Sequence, residues 1–391
     1  MDTVRCNHPH NVCCERCDDL RDLMETINLA LEDPSVEYRY AKQKEEIGYD
    51  YELAKDRIFQ MKAHMLRAKN QEYGKTDILE RLTQNQALAT MEWPMKFLPS
   101  KFRESQQDWF GKKGISWHVT AVVSKDQNNE FQIHCYVHVV EQCRQDWFSV
   151  YSIIDATLGR VKVDLPDVST IFLLSDNAGC YHNASLLLAL PSLSRSSGLN
   201  IKRYDFSEAQ AGKTICDRKI APMKCHIQRD INEGHDVATA ADMVKALGSY
   251  CGVRGCYVAE VTLNATAVED KKTVKWPGVT AFTNFEYMEE DIVCVSKAYN
   301  TGGGSRHSIS SLLSKAVPQG TSGVAVMAYT EPRMGTGAIR GQRPCQLEIP
   351  CHEIGCVQVF ATEEELTTHT AIGKHDLRLL PDTKMDEIKR K

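Results

Sequence analysis

The run Thr170-Ile-Phe-Leu-Leu-Ser-Asp-Asn-Ala-Gly-Cys-Tyr-His182 decides how this chain is read. Thr170–Leu174 is a short, continuous apolar run, the pattern of a strand buried on both faces. Ser175-Asp-Asn-Ala-Gly then supplies turn residues, which end the strand and leave Asp176 at its C-terminal tip.

Working outward, the same alternation of short apolar runs and helical patterns recurs. Upstream, Ala87–Trp93 is short and apolar apart from Thr90 and Glu92, and Ile115–Ser124 and Phe131–Val140 flank the turn sequence Asp126-Gln-Asn-Asn as a hairpin. Asp146–Arg160 reads as a helix. Downstream come a helix at Ser185–Leu190 ending before Pro191, a strand at Asn200–Phe206, a basic helix at Thr214–Asn232, a helix at Ala238–Leu247 and weaker strand signals over 258–300. This order predicts a mixed α/β fold.

The rest of the chain divides by composition. Residues 1–20 form a Cys/His cluster, 21–86 are helical in character, 87–260 form the α/β core and 261–300 extend it. In the helical region apolar residues recur at helical spacing from Leu20, and Tyr51–Leu66 is a second amphipathic helix. Residues 301–349 are rich in Gly and Pro and read as a flexible linker, 350–376 as a small metal module and 377–391 as a tail.

Composition bounds the function. The 391 residues are 42% hydrophobic and 25% charged, which is globular and excludes a wholly disordered or collagen-like chain. No apolar run approaches a membrane span, and the polar first residues carry no secretory h-region, so a reducing compartment is expected. There, 15 cysteines read as metal ligands more than as disulfides. The net charge of −5 argues against a histone-like binder, yet 94–114 hold five Lys/Arg against two acids, and 201–230 hold seven against four.

Three acids stand on separate elements: Glu92 on a first strand, Asp176 at the end of a later one, and Asp217 at the start of a basic helix. Two-metal phosphoryl transfer needs such a set, holding Mg²⁺ or Mn²⁺ ions about 3.5–4 Å apart. Asp108, Asp205 and Glu208 are rivals for the same role, and Lys213, Arg218 and Lys219 are placed to meet phosphate.

Two Cys/His patterns point to zinc. Cys351-x4-Cys356-x12-His369-x5-His375 offers two thiolates on a knuckle and two imidazoles on a helix, with Phe360 and Leu366 as the small apolar core. It resembles the two-Cys, two-His zinc finger. Its base-facing positions would fall on Thr362, Glu365 and Thr368, and the acidic run Glu363-Glu-Glu favours a structural or protein-contact role over DNA reading. At the N-terminus, Cys14-x2-Cys17 is a second knuckle, with Cys6 and His10 completing a tetrahedron and His8 and Cys13 competing.

These residues also carry a wider likeness. Met95-Lys-Phe-Leu-Pro, Arg103-Glu-Ser-Gln-Gln-Asp-Trp-Phe, Gly114-Ile-Ser-Trp-His, Asp176-Asn-Ala-Gly-Cys-Tyr-His, Asp205-Phe-Ser, Cys216-Asp-Arg-Lys and Asn232-Glu-Gly-His-Asp resemble a group of transposon-derived animal proteins with an RNase H-like DDE/D transposase core. The resemblance spans roughly residues 50–260 and implies an RNase H-like mixed sheet with flanking helices and a C-terminal ββα zinc finger. It also implies a nuclear, DNA-binding protein (the alternative location being cytoplasmic), protein contacts through the finger, and catalytic acids at Glu92, Asp176 and Asp217. The chain departs from the pattern at Glu92, where the family has Asp, and at Pro94, where Ala is common. A longer side chain displaces the carboxylate, so the resemblance implies a domesticated or degenerate enzyme, or a non-enzymatic zinc-finger adaptor.

Overall fold

The computed structural model describes residues 15–40, 42–208, 214–263, 274–288, 291–313, 324–326, 328–330, 349–350, 358–360 and 362–373. The helical region is two helices, α1 (Glu15–Glu32) and α2 (Gln43–Arg81). At 39 residues α2 runs well past the expected 51–66, because its last third finds a tertiary partner. Ile78 and Leu79 there pack with Leu82, Leu88, Val123 and Leu174.

The core begins with β1 (Gln86–Glu92), β2 (Ser116–Lys125) and β3 (Phe131–Val140), followed by α3 (Trp147–Asp164). Then come β4 (Thr170–Ser175), α4 (Ala184–Ser197), β5 (Asn200–Phe206), α5 (Ile215–Asn232), α6 (Ala240–Gly248) and β6 (Cys256–Leu263). Next are β7 (Asn284–Met288), β8 (Ile292–Ser296), β9 (Ser305–Ser308), α7 (Ile309–Leu312) and β10 (Val324–Val326). These ten strands form one sheet, in the order β10-β6-β3-β2-β1-β4-β5-β7-β8-β9. Its heart, β3-β2-β1-β4-β5, has an antiparallel meander joined to parallel β4 and β5. That is the mixed α/β, RNase H-like arrangement the sequence predicts.

Burial explains the layering. Helices α3 and α4 cover one face, packing on Ala87, Ala89, Met91, Ile171 and Leu173. On the other face, α5 and α6 cover Trp117, Val119, Val137 and Val258, and the end of α2 covers Leu88 and Leu174. Successive strand residues point to opposite faces. Glu92 and Asp176 therefore continue the rows of Leu88 and Leu174, on the α2/α5 face.

Two boundaries differ from expectation. Helix α4 passes through Pro191 instead of stopping before it. Proline removes the N–H that would bond the carbonyl of Leu187, and the buried Tyr287 hydroxyl donates to that carbonyl instead, at 2.9 Å. The presumed linker carries structure: β9 pairs with β8, β10 pairs with β6, and Thr330 bridges Val258. These edge strands are short and polar or Gly-flanked, so they lack the apolar alternation that marks a strand in sequence. The region after 260 extends the core as expected, adding β7 and β8 to the same sheet.

C-terminally, β11 (Ile349–Pro350) pairs antiparallel with β12 (Val359–Phe360), and α8 (Glu363–Ile372) follows. Thr362 caps α8 by accepting from the Glu365 amide at 3.2 Å. No helix among the described residues is long and apolar enough to cross a membrane.

Candidate acidic site

Glu92 is the last residue of β1, and Asp176 directly follows β4. The two strands are parallel neighbours, with Met91 opposite Ser175, so their tips lie side by side at the C-terminal edge of the sheet. That edge is where open α/β sheets bind ligands.

Asp217 arrives from the first turn of α5. The sequence Thr214-Ile-Cys-Asp217 is a capping box: the Thr214 hydroxyl accepts from the Asp217 amide at 3.3 Å, and Asp217 Oδ2 accepts from the Thr214 amide at 2.8 Å. The Thr214 hydroxyl also donates to Glu92 Oε2 at 3.0 Å. One threonine thus fixes the helix start and ties it to the strand carrying Glu92. The buried Cys216 thiol adds a second tie, donating to the Thr90 carbonyl at 3.1 Å.

The electrostatics show how crowded this corner is. Burial, then the negative charge of Asp217, raise the Glu92 carboxyl to about 7, with Thr214 pulling the other way and Asp176 adding to the rise. A hydrogen bond shared with Asp217 contributes to the same shift. Asp176 opens to solvent, yet the protein on its flanks desolvates it enough to raise its carboxyl, against a bond from the Ala178 amide at 3.2 Å. Among the described residues, no three His, Cys, Asp or Glu side chains already grip a common point. The donors are nonetheless all oxygens, and Glu92, raised to about 7 first by burial and then by Asp217, is partly protonated near neutral pH. A hard divalent cation fits such a set.

The rival acids have other work. Asp108 caps a short 3₁₀ turn and pairs with Lys101 at 2.8 Å. Asp205 is buried and pairs with Arg203 at 2.8 Å; burial raises its carboxyl to about 6 against that cation. Glu208 pairs with Arg67 at 2.7 Å and His64 at 2.9 Å, fastening α2 to the core. Arg203 also donates to the Gly74 carbonyl on α2 at 3.0 Å. Gly74 must be glycine there, because a Cβ would come within 2.8 Å of the Tyr299 ring.

Of the presumed phosphate contacts, Lys213 lies outside the described residues, and Arg218 is on α5 one residue past Asp217. Lys219 donates to the Arg254 carbonyl at 3.2 Å, before β6. Asn177 and His182 bond each other, and the His182 ring stacks on Phe206 at 4.4 Å, so both brace the Asp176 turn from behind.

The zinc motifs are seen in part. Cys351, Cys356 and His375 lie outside the described residues, as do Cys6, His8, His10, Cys13 and Cys14. Cys17 is half-buried on α1. His369 is buried on α8 with its ring 4.7 Å from Phe360, and Leu366 is buried beside them. Helix α8 leans on the core. Thr370 and Ala371 line a crevice with Gln71, Leu88, Thr90 and Thr214, next to the acids, and Glu364 pairs with Arg254.

The sequence reading overlooked Thr214, although a Thr three residues before an Asp at a helix start is a legible capping box. It also took Asp205 and Glu208 for open alternatives: the partners of Glu208, Arg67 and His64, are more than a hundred residues away and leave no local signal, whereas Arg203, two positions before Asp205, was a partner in plain view.

The fold and site together define a mixed α/β core with an acidic corner at its sheet edge. By sequence, the chain belongs to the family described as "Domain of unknown function (DUF8701)", which matches residues 71–297. No curated protein sequence matches it. Among solved structures it is similar to the Mos1 mariner paired end complex with Mn, at 10% identity and a TM-score of 0.25, covering 56% of this chain and 75% of that one. It is also similar to a pre-cleavage Mos1 transpososome, at 14% identity and a TM-score of 0.24, covering 56% and 68%.

Proposed function

We propose that this chain is a transposase-derived, zinc-binding nuclear protein whose RNase H-like core keeps a divalent-cation site at Glu92, Asp176 and Asp217 and binds DNA. The observation that supports it best is the placement of three acids, from β1, the β4 tip and α5, at one sheet edge, where Glu92 and Asp217 share a hydrogen bond and the charges of Asp217 and Asp176 both raise the Glu92 carboxyl. Glu92, Asp176 and Asp217 would hold the ion. A bound Mg²⁺ or Mn²⁺ would supply a Lewis acid for a phosphoryl oxygen. The chain's own part is positional: Thr214 orients Glu92, and the N-terminal end of α5 presents backbone N–H groups to negative charge.

Cleavage is expected to be absent or very weak. Glu92 is one methylene longer than Asp, and Pro94 stiffens the backbone two residues on. Misplacement of this order costs about 10²-fold in rate. A nuclease assay with Mn²⁺ on a labelled duplex tests this. Glu92→Asp should gain activity over wild type, and Asp176→Ala should have none. Strong wild-type cleavage abolished by Asp176→Ala would show that Glu92 serves as well as Asp.

A second reading, a non-enzymatic zinc-finger adaptor on an RNase H-like scaffold, draws on one specific observation. The Thr214 capping box already gives Asp217 a structural role, and the Thr214 bond gives Glu92 one. On that reading neither acid needs a cation. Zinc at Cys351, Cys356, His369 and His375, and at Cys6, His10, Cys14 and Cys17, belongs to both readings, as do protein contacts through the finger.

A further inference from the structure

We propose that the segment between β1 and β2 is a stacking platform for unpaired nucleotides, built on Trp109 and Phe110 and set at the same sheet edge as the acids. It rests on the nucleic-acid reading above and adds where and how a strand is held.

Trp109 is 65% exposed and Phe110 78% exposed, side by side at the end of a 3₁₀ turn, with Phe102 exposed as well. Large aromatic groups left in water in tandem mark a binding surface. Two of the three rings have a cation against them: the Lys112 ammonium lies 4.8 Å from the Trp109 centroid, and the Arg103 guanidinium 5.5 Å from that of Phe102.

The segment is braced to the core. Phe97 and Ile115 exchange backbone hydrogen bonds at 2.9 and 2.8 Å, as do Ser100 and Val237 at 2.9 Å. The Trp117 indole donates to the Met95 carbonyl at 3.0 Å, and the Phe102 amide to Asp236 at 2.9 Å. The segment leaves β1 immediately after Glu92 and re-enters at the start of antiparallel β2, so both its ends lie at the acidic edge.

Charge selects the occupant. The segment's two acids are both ion-paired, Glu104 with Lys112 and Asp108 with Lys101. Beyond those pairs stand the exposed Lys96, Arg103 and Lys113. Rings for base faces and cations for phosphates are the two components of a single-strand binding surface, and every base offers a π-face whatever its identity. An apolar protein partner would have no use for the cations.

The test uses the full chain and a short duplex with a single-stranded thymidine overhang, against the same duplex with blunt ends. Of the five tryptophans, Trp109 alone is more than half exposed, so its fluorescence reports the event. The overhang should quench it, and affinity should fall about tenfold or more in Trp109→Ala and Phe110→Ala. Trp109→Phe should retain most of that affinity. Equal affinity for both duplexes, or unchanged affinity in both alanine variants, would overturn the proposal. So would a gel-filtration shift from dimer to monomer in Trp109→Ala with nucleic-acid binding intact, which would make the patch a contact between copies. Mn²⁺ uptake by the wild type is measured separately: overhang binding that depends on Trp109 and Phe110 in a protein that takes up no Mn²⁺ would end the cation-site reading and leave the platform standing.

Discussion

At the scale of single residues, the acidic corner is costly. An ordinary glutamate is ionised at neutral pH, but Glu92 is raised to about 7 by burial and by Asp217. Its folded-state value lies above its unfolded one, so the fold prefers the protonated form. The penalty is absent below the ordinary carboxylate range, grows as pH rises from there to about 7, and is constant above. Glu92→Gln, which cannot ionise, is therefore expected to raise the melting temperature of the cation-free protein above pH 7 and to change it little near pH 4. Thermal unfolding across pH measures this; equal melting temperatures at pH 8 would show that the corner carries no strain. A group that costs stability when empty is the kind found at functional sites.

At the scale of elements, most strands and helices of the core were legible because each is buried on a regular pattern. The strand Phe131–Val140, the strand Thr170–Ser175 and the helix Ile215–Asn232 fall where apolar periodicity puts them. The sequence misled where a distant partner repaired a local fault. Pro191 is a valid stop signal, and only the Tyr287 hydroxyl, from a strand almost a hundred residues later, makes the continued helix tolerable. Tyr287→Phe should orphan the Leu187 carbonyl and cost about 1–3 kcal/mol. Denaturant unfolding checks it, and a loss near zero would mean that the carbonyl finds another donor. The C-terminal module is the other telling element. Among the described residues it is two short strands and a helix, with His369 against Phe360. Its apolar core is little more than Phe360 and Leu366, so a zinc chelator should unfold α8 while leaving the large sheet intact. Hydrogen exchange should then rise across 363–372 and on the part of α2 it leans on, near 68–75. Unchanged exchange across α8 would refute a metal-held module.

For the whole molecule, the acids could be found in sequence because each ends or begins an element, whereas the contacts that join them could not. Thr214 and Glu92 are 122 positions apart and meet only because α5 crosses the β1 tip. The helical region, the core and the finger also meet at one place. The crevice beside the acids is walled by α2, β1, the start of α5 and α8. The central claim is that Glu92, Asp176 and Asp217 form one divalent-cation site. The most direct test is calorimetric titration of the full, zinc-loaded chain with Mn²⁺, for wild type, Asp176→Ala and Glu92→Gln. Wild type should bind Mn²⁺ with release of protons near pH 7, as Glu92 gives up the one it holds. Both variants should bind at least about tenfold more weakly, and Glu92→Gln should release fewer protons. Superimposable titrations for all three proteins would contradict the account.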